Sequence, residues 1–361
     1  MKEGQKTRAV LLKPIETNFV LQWHVTNKCE NRCSHCYITN LEKELDNPNK
    51  LTLDESKRVI DDLVNLGTRF GVSPRINFSG GNPLLRNDFP EIMRYAKDKG
   101  VIIGILGNPS PLTEKNLEML CQNNVSRYQV SLEGMRERHD SIRGEGNYDQ
   151  TIEGVRKLSD KGIWVSVMNT VSKRNYLEVP EVCETAFNIG VKHFDFARLV
   201  PVGEGKDFLD EQLTPKEFRE FLFTMHKKYE KLIDKGVKLS FIGRKDPLWY
   251  LMDKELGIAR PFDKEAGVIE GCSIGKSGLC LDVDGSIYSC RRMPLIIGNI
   301  RNTNLSDFFL SSKELNEQRE FEKIESCGEC DLINVCRGCR AVAYANTGDY
   351  FSKDPQCWRE E

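Results

Sequence analysis

The chain is 361 residues long with 39% hydrophobic and 29% charged content, a size that excludes one small core and predicts two domains or one large barrel with an appendage. Its 52 basic and 54 acidic residues leave a formal charge of -2, and no Lys/Arg block stands out, so nucleic acid and anionic lipid are excluded as main partners. Apolar runs such as Val101 to Leu106 are far too short to cross a membrane, and the charged stretch Met1 to Val10 does not read as a secretory signal, so a cytoplasmic location is expected.

In chain order, a predicted strand from Phe19 to Val25 runs into Cys29-Glu-Asn-Arg-Cys33-Ser-His-Cys36. Thr52-Leu-Asp-Glu55 then reads as a capping box opening a helix, with Val59, Ile60, Leu63 and Val64 as its apolar stripe and Gly67 as its C-terminal cap. Strands follow at Arg75 to Ser79, Val101 to Leu106, Arg127 to Leu132, Ile163 to Asn169 and Val191 to Ala197. Helices alternate with them near Phe89 to Lys99, Thr113 to Gln122, Tyr148 to Lys161 and Leu177 to Ile189. Six strands, each followed by a helix, predict a parallel sheet, because parallel neighbours need a crossover of about a dozen residues. A full eight-strand barrel is not expected. A long helical stretch from Thr214 to Lys235 gives way to loops rich in Gly and Cys, which places a domain boundary in 236–270.

Thirteen cysteines are many for a reducing compartment, where paired Cys points to metal or redox chemistry. Cys121 and Cys183 stand alone on predicted helices and read as small buried hydrophobes. Cys29, Cys33 and Cys36 are different: three thiolates on one short loop can bind three irons of a cubane and leave the fourth open to a substrate or cofactor. The alternative is a zinc loop completed by His35 or His24.

In the spacing of those three cysteines, and in the motifs that follow them, the chain resembles the radical S-adenosylmethionine (SAM) superfamily, whose signature is CxxxCxΦC. His35 stands at the aromatic Φ position and Tyr37 follows the last Cys. Ser79-Gly80-Gly81-Asn82-Pro83 resembles the GGEP loop that receives the amino group of SAM, with Asn82 in place of Glu. Asn108 stands where the family has a polar residue after the third strand. Ser131 and Glu133 resemble the fourth-strand motif facing SAM, and His139-Asp-Ser-Ile-Arg143-Gly144 resembles the HDxxRG segment whose Arg meets the SAM carboxylate. Leu199 lies in the segment Phe196 to Gly203, which resembles the sixth-strand end that borders adenine in the family. The resemblance implies a partial (β/α)6 barrel in which a 4Fe-4S cluster reductively cleaves SAM to a 5'-deoxyadenosyl radical. A flavodoxin or ferredoxin would supply the electron to this oxidoreductase.

The C-terminal cysteines resemble a SPASM domain: Cys272, Cys290 after Gly285, the series Cys327, Cys330, Cys336 and Cys339, then Cys357, with Cys280 as an addition. By position the resemblance implies two auxiliary clusters. Cys272, Cys280, Cys290 and Cys339 would hold one, and Cys327, Cys330, Cys336 and Cys357 the other. Cys280 also reads as a small buried residue on a strand, and Cys327, Cys330, Cys336 and Cys339 also read as a zinc ribbon. The expected organisation is a radical SAM core over 1–235, a linker over 236–270 and a SPASM domain over 271–361.

SPASM relatives mostly modify peptides, so the expected function is a maturase making a crosslink, thioether or oxidation in a peptide or protein. Arg291 stands where the sulfatase-maturing branch has Asp, which disfavours that branch. With the triad near the start of the chain, a peptide would be gripped by the barrel mouth or the SPASM face, or delivered by another protein. The alternative function is a small-molecule enzyme such as a haem-type decarboxylase, for which Arg291 and Arg292 could meet carboxylates. A non-catalytic electron carrier is the third reading.

Overall fold

Alternation of side chains organises the molecule from its first strand. In β1 (Asn18–Thr26), Phe19, Leu21, Trp23 and Val25 are buried in the core while Val20 and Gln22 point to the other face. The computed structural model describes residues 18–38, 47–259 and 267–359. The Met1 to Val10 reading and the 260–266 part of the expected linker lie outside them.

Five further strands, β2 (Ser73–Gly80), β3 (Ile102–Leu106), β4 (Arg127–Ser131), β5 (Val165–Val171) and β6 (His193–Arg198), stand parallel in sequence order. The crossovers are α1 (Leu53–Phe70), α2 (Phe89–Asp98), α3 (Glu114–Gln122), α4 (Arg136–Arg143) with α5 (Asn147–Asp160), and α6 (Val179–Asn188). This is the expected α/β fold with a six-strand parallel sheet. One face of every strand joins the helices in a continuous core, with Phe78, Ile105, Val130, Val167 and Phe196 among its buried members. The opposite face carries polar residues such as Asn77, Gln129, Ser166 and Asp195, and encloses the lumen. Ile242 bridges to Phe194 beyond β6, after α7 (Pro215–Asp234) and before α8 (Trp249–Leu256).

The sheet does not stop at β1. The C-terminal region adds β7 (Gly278–Leu281), parallel to β1, and then the antiparallel β8 (Ser286–Tyr288) and β9 (Ile296–Asn299), giving nine strands in the order β6-β5-β4-β3-β2-β1-β7-β8-β9. Three short helices, α9 (Leu305–Ser311), α10 (Lys313–Glu317) and α11 (Arg340–Thr347), complete the chain. Among the described residues no helix is long and apolar enough to cross a membrane.

Two local expectations are corrected. The capping box of Thr52 and Glu55 is present, but α1 runs past Gly67 and ends at Gly71, whose φ of 64° is left-handed. Gly67 serves close packing instead, since a Cβ there would lie 2.8 Å from the carbonyl of Val72. Cys183 is buried as expected, whereas Cys121 is exposed in the last turn of α3. Leu117 and Leu120 make the buried stripe there, and Cys121 sits one residue, about 100°, round from Leu120.

Candidate active site

The carboxyl ends of β2 to β6 open onto a cavity of about 150 Å³. Cys29, Cys33 and Cys36 line it together with His35 and Tyr37, all from the loop that follows β1. That loop is clamped from several sides. The Ser34 amide donates to the Ile142 carbonyl of α4 at 3.1 Å, and the Gly205 amide donates to the Cys36 carbonyl at 3.2 Å. Across the loop, the Gly81 and Asn82 amides donate to Thr26 and Lys28 carbonyls at 2.8 and 2.7 Å. Glycine is required at this seam, because a Cβ on Gly81 would stand 2.0 Å from the Lys28 carbonyl oxygen. Among the described residues no three His, Cys, Asp or Glu side chains gather tightly enough for a single metal ion; the thiols ring the cavity instead.

Ser79, Gly80 and Gly81 also line the cavity, as do Asn108, Ser131, Arg143 and Leu199. Asn82 and Pro83 are not among its lining residues. Asn82 is fully buried behind the loop, where its amide donates to the Glu30 carboxylate at 2.7 Å and its oxygen caps the Leu84 amide at 3.4 Å.

The charged wall is built on Glu133, which is 0% exposed. Arg143 donates to its Oε1 at 3.1 and 2.8 Å, His35 Nε2 lies 3.4 Å away, and the Thr170 amide donates to its Oε2 at 2.7 Å. Burial opposes the carboxylate, but Arg143 and His35 outweigh it and hold Glu133 well below the usual carboxylate range. His139 supports this wall: its Nδ1 accepts from the Glu133 amide at 3.0 Å, and Nε2 faces Asn147 at 2.9 Å. Burial, with Arg143 nearby, pushes that imidazole down to about 4, so it stays neutral. Burial pushes the Cys29 thiol up to about 11 and Cys36 to about 12, against which Asn108 donates to Cys29 Sγ at 3.5 Å and Arg143 lends positive charge to Cys36.

Sequence reasoning missed one contributor. Asp282, on the C-terminal side of β7, reaches His24 Nδ1 at 3.5 Å, and His24 Nε2 meets the Tyr37 hydroxyl at 3.2 Å. Arg291, read from the sequence with Arg292 as a pair that could meet carboxylates, stacks 5.3 Å over the Tyr37 ring and lines the cavity with Arg292. A second cavity, of about 590 Å³, is lined by Cys327, Cys330, Cys336 and Cys357. Cys272, Cys280, Cys290 and Cys339 lie elsewhere: Cys280 feels the charge of Cys290, and Cys339 that of Cys272. Arg292 stands beside both Cys290 and Cys339.

A parallel α/β sheet whose carboxyl edge gathers three loop cysteines, a glycine pair and a buried Glu–Arg wall defines an enzyme of the cysteine-ligated cluster class. Residues 23–186 match the Radical SAM superfamily and residues 272–340 match SPASM, an iron-sulfur cluster-binding domain. The AdoMet-dependent heme synthase of Methanosarcina barkeri is 30% identical over 348 residues, covering 94% of this chain and 95% of that one. The mycofactocin maturase MftC of Mycolicibacterium smegmatis is 25% identical over 353 residues, covering 95% and 83%. Among solved structures, Streptococcus suis SuiB bound to its precursor peptide SuiA superposes with a TM-score of 0.77 at 16% identity, covering 98% of this chain and 79% of that one. The chain belongs to the radical SAM superfamily. It is a radical SAM enzyme, with a 4Fe-4S cluster and SAM as its cofactors and a SPASM region that binds auxiliary iron-sulfur clusters.

Proposed function

We propose that this enzyme acts on a carboxylate-bearing tetrapyrrole precursor, removing a carboxyl group in a haem-type oxidative decarboxylation, in preference to modifying a peptide. The observation that carries this reading is the placement of Arg291 and Arg292 in the wall of the same cavity as the three cysteines, where guanidinium forks suit carboxylates. The full-length similarity to a relative named as a heme synthase supports it. The peptide reading retains from SuiB only a shared fold.

Cys29, Cys33 and Cys36 are assigned as ligands of the SAM-cleaving cluster, a fit supported by three thiols facing one cavity beside a cationic Arg143. When bound, the cluster and SAM supply a 5'-deoxyadenosyl radical that abstracts hydrogen. Gly80 and Gly81 bring backbone to the amino group of SAM, Arg143 meets its carboxylate, and Ser131, Asn108 and Leu199 complete the walls. Loss of hydrogen next to the carboxyl-bearing carbon lets the bond to the carboxylate break, leaving a vinyl group and CO2 and sending one electron to a one-electron acceptor. Arg291 orients the carboxylate. Cys327, Cys330, Cys336 and Cys357 are assigned to one auxiliary cluster and Cys272, Cys280, Cys290 and Cys339 to another, within a division of the chain at 235 and 271. A flavodoxin or ferredoxin serves as reductant.

The test is anaerobic turnover with SAM, dithionite and an iron porphyrin bearing four propionates. The expected result is 5'-deoxyadenosine together with porphyrin products that have lost CO2. Deoxyadenosine with an unchanged porphyrin mass would overturn the reading.

A further inference from the structure

The lumen face of the barrel changes character below the cysteine site. On β2, Arg75 and Asn77 share the face of Ser79, and on β4, Arg127 shares the face of Gln129 and Ser131; Ser79, Gln129 and Ser131 line the SAM cavity. Arg291 links the two levels. With the amide set to satisfy its neighbours, Gln22 presents its oxygen to Arg291 Nη1 at 2.6 Å and to Ser79 Oγ at 3.3 Å. Lys245 enters from the segment that bridges to β6 and lies near Arg127 and Arg291.

Arg127 and Lys245 therefore stand close enough to Arg291 to feel its charge, and Arg75 close enough to Arg127. Among the described residues none of Arg75, Arg127 and Lys245 has a carboxylate within ion-pair distance. The Nε atoms of Arg75 and Arg127 are buried without a hydrogen-bond partner, and so is Asn77 Oδ1. The acid that faces this group is Asp195, whose Oδ1 already accepts from the Phe196 amide at 2.9 Å. Arg292, also in the cavity wall, donates to the Arg198 carbonyl at 3.1 Å. The Lys245 side chain is exposed. Nearby protein atoms and the guanidinium groups of Arg127, Arg291 and Arg292 push its amine down to about 8 despite Asp195. Cations gathered without carboxylate partners repel one another, so an arrangement that keeps them together calls for an anion.

We propose that Arg75, Arg127 and Lys245, below Arg291, form an anion pocket in the barrel lumen that binds a second, non-reacting carboxylate of the substrate and so selects polycarboxylates. This rests on the tetrapyrrole reading and names the residues that discriminate by carboxylate number. Arg127 and Lys245 act as binding residues remote from the reacting carbon, and their loss raises the dissociation constant with the site of hydrogen abstraction unchanged.

The experiment titrates the reconstituted holoenzyme with a porphyrin bearing four propionates and with one bearing two, in wild type, Arg127→Met, Arg127→Lys and Lys245→Met. Iron content per chain reports that each variant is folded, and Lys245→Met, at an accessible side chain, stands in should Arg127→Met lose iron. The expected result is wild-type preference for four propionates by about tenfold or more. Arg127→Met and Lys245→Met should abolish that preference, and Arg127→Lys should retain most of it. Equal wild-type affinity for both porphyrins, or an undiminished preference in the Met variants, overturns the pocket while the tetrapyrrole reading stands. Failure of the wild type to bind either porphyrin overturns that reading, and the pocket with it.

Discussion

Arg143 is held from two sides, by Glu133 at 2.8 Å and by the Asn108 oxygen at 3.4 Å, which leaves it fixed in the cavity wall with its rotamer freedom already spent. Preorganisation of that kind makes its contact to a carboxylate worth about 1.5 to 3 kcal/mol. Arg143→Ala is accordingly expected to weaken SAM binding roughly ten- to hundred-fold with cluster content little changed, as measured by SAM titration of the reconstituted enzyme. Unchanged affinity would remove Arg143 from the site. Residues of this kind were legible in the sequence because spacing marks them: the cysteines, the two glycines and Arg143 all stand in the cavity wall. Asn82 was not legible in the same way. Its amide is satisfied by Glu30, fifty-two positions earlier, so the carboxylate absent from position 82 comes back beside it from the cysteine loop. The chain Asp282, His24, Tyr37 was hidden for a related reason, as its members come from three separate segments that only the fold brings together.

At the level of elements, the six βα units were readable because each strand carries its own period and each helix its own caps, which are local signals. The strands β7 to β9 were not readable as members of the same sheet. They are three or four residues long, and what makes them sheet members is the pairing of β7 with β1, a partner far away in the chain, onto which β8 and then β9 add. Close approach between elements also sets a prediction. The loop after β2 lies against the cysteine loop so tightly that a Cβ on Gly81 meets the Lys28 oxygen at 2.0 Å and the Lys28 carbonyl carbon at 2.5 Å. Both are backbone atoms that cannot swing aside. Gly81→Ala should therefore part the two loops, costing about 1 to 3 kcal/mol of stability as overpacked sites do. The expected readout is loss of SAM cleavage with iron retained in the C-terminal region, and full deoxyadenosine output would show that the seam yields.

Across the whole molecule, the two halves are joined by the sheet and by one buried ionic knot. Arg198, at the end of β6 and 2% exposed, donates to Asp246 at 2.7 Å and to both oxygens of Asp354 at 2.9 Å, tying the barrel to the C-terminal segment. Replacing Arg198 with Met leaves two buried carboxylates facing each other, and such a broken pair costs about 3 to 5 kcal/mol. A fall in melting temperature with loss of C-terminal iron is expected, and an unchanged melting temperature would show that the sheet alone holds the halves together.

The same junction bears on how the proposed clusters divide. Cys280 lies on β7 opposite Gln22 of β1 and pairs with Tyr288 of β8. It feels the charges of Cys290, Arg291 and Arg292, and Tyr37 in turn feels Cys280, so this cysteine stands between the SAM site and the auxiliary cysteines. Burial and Cys290 push the Cys280 thiol up to about 12, against which Arg291 and Arg292 work, and a thiolate ligand there would draw on those two cations. With eight C-terminal cysteines and three at the SAM site, three cubanes give about twelve irons per chain. Replacing Cys29, Cys33 and Cys36 together with Ala should leave about eight, all in the C-terminal region, and abolish deoxyadenosine formation. Replacing Cys280 alone should keep SAM cleavage but open one iron of the nearer auxiliary cluster, so that added porphyrin carboxylate changes its electron paramagnetic resonance spectrum where it leaves the wild-type spectrum unaltered. A wild-type spectrum that itself shifts on adding substrate would mean that the open iron is native, that Cys280 is an ordinary strand residue, and that substrate reaches the auxiliary cluster directly.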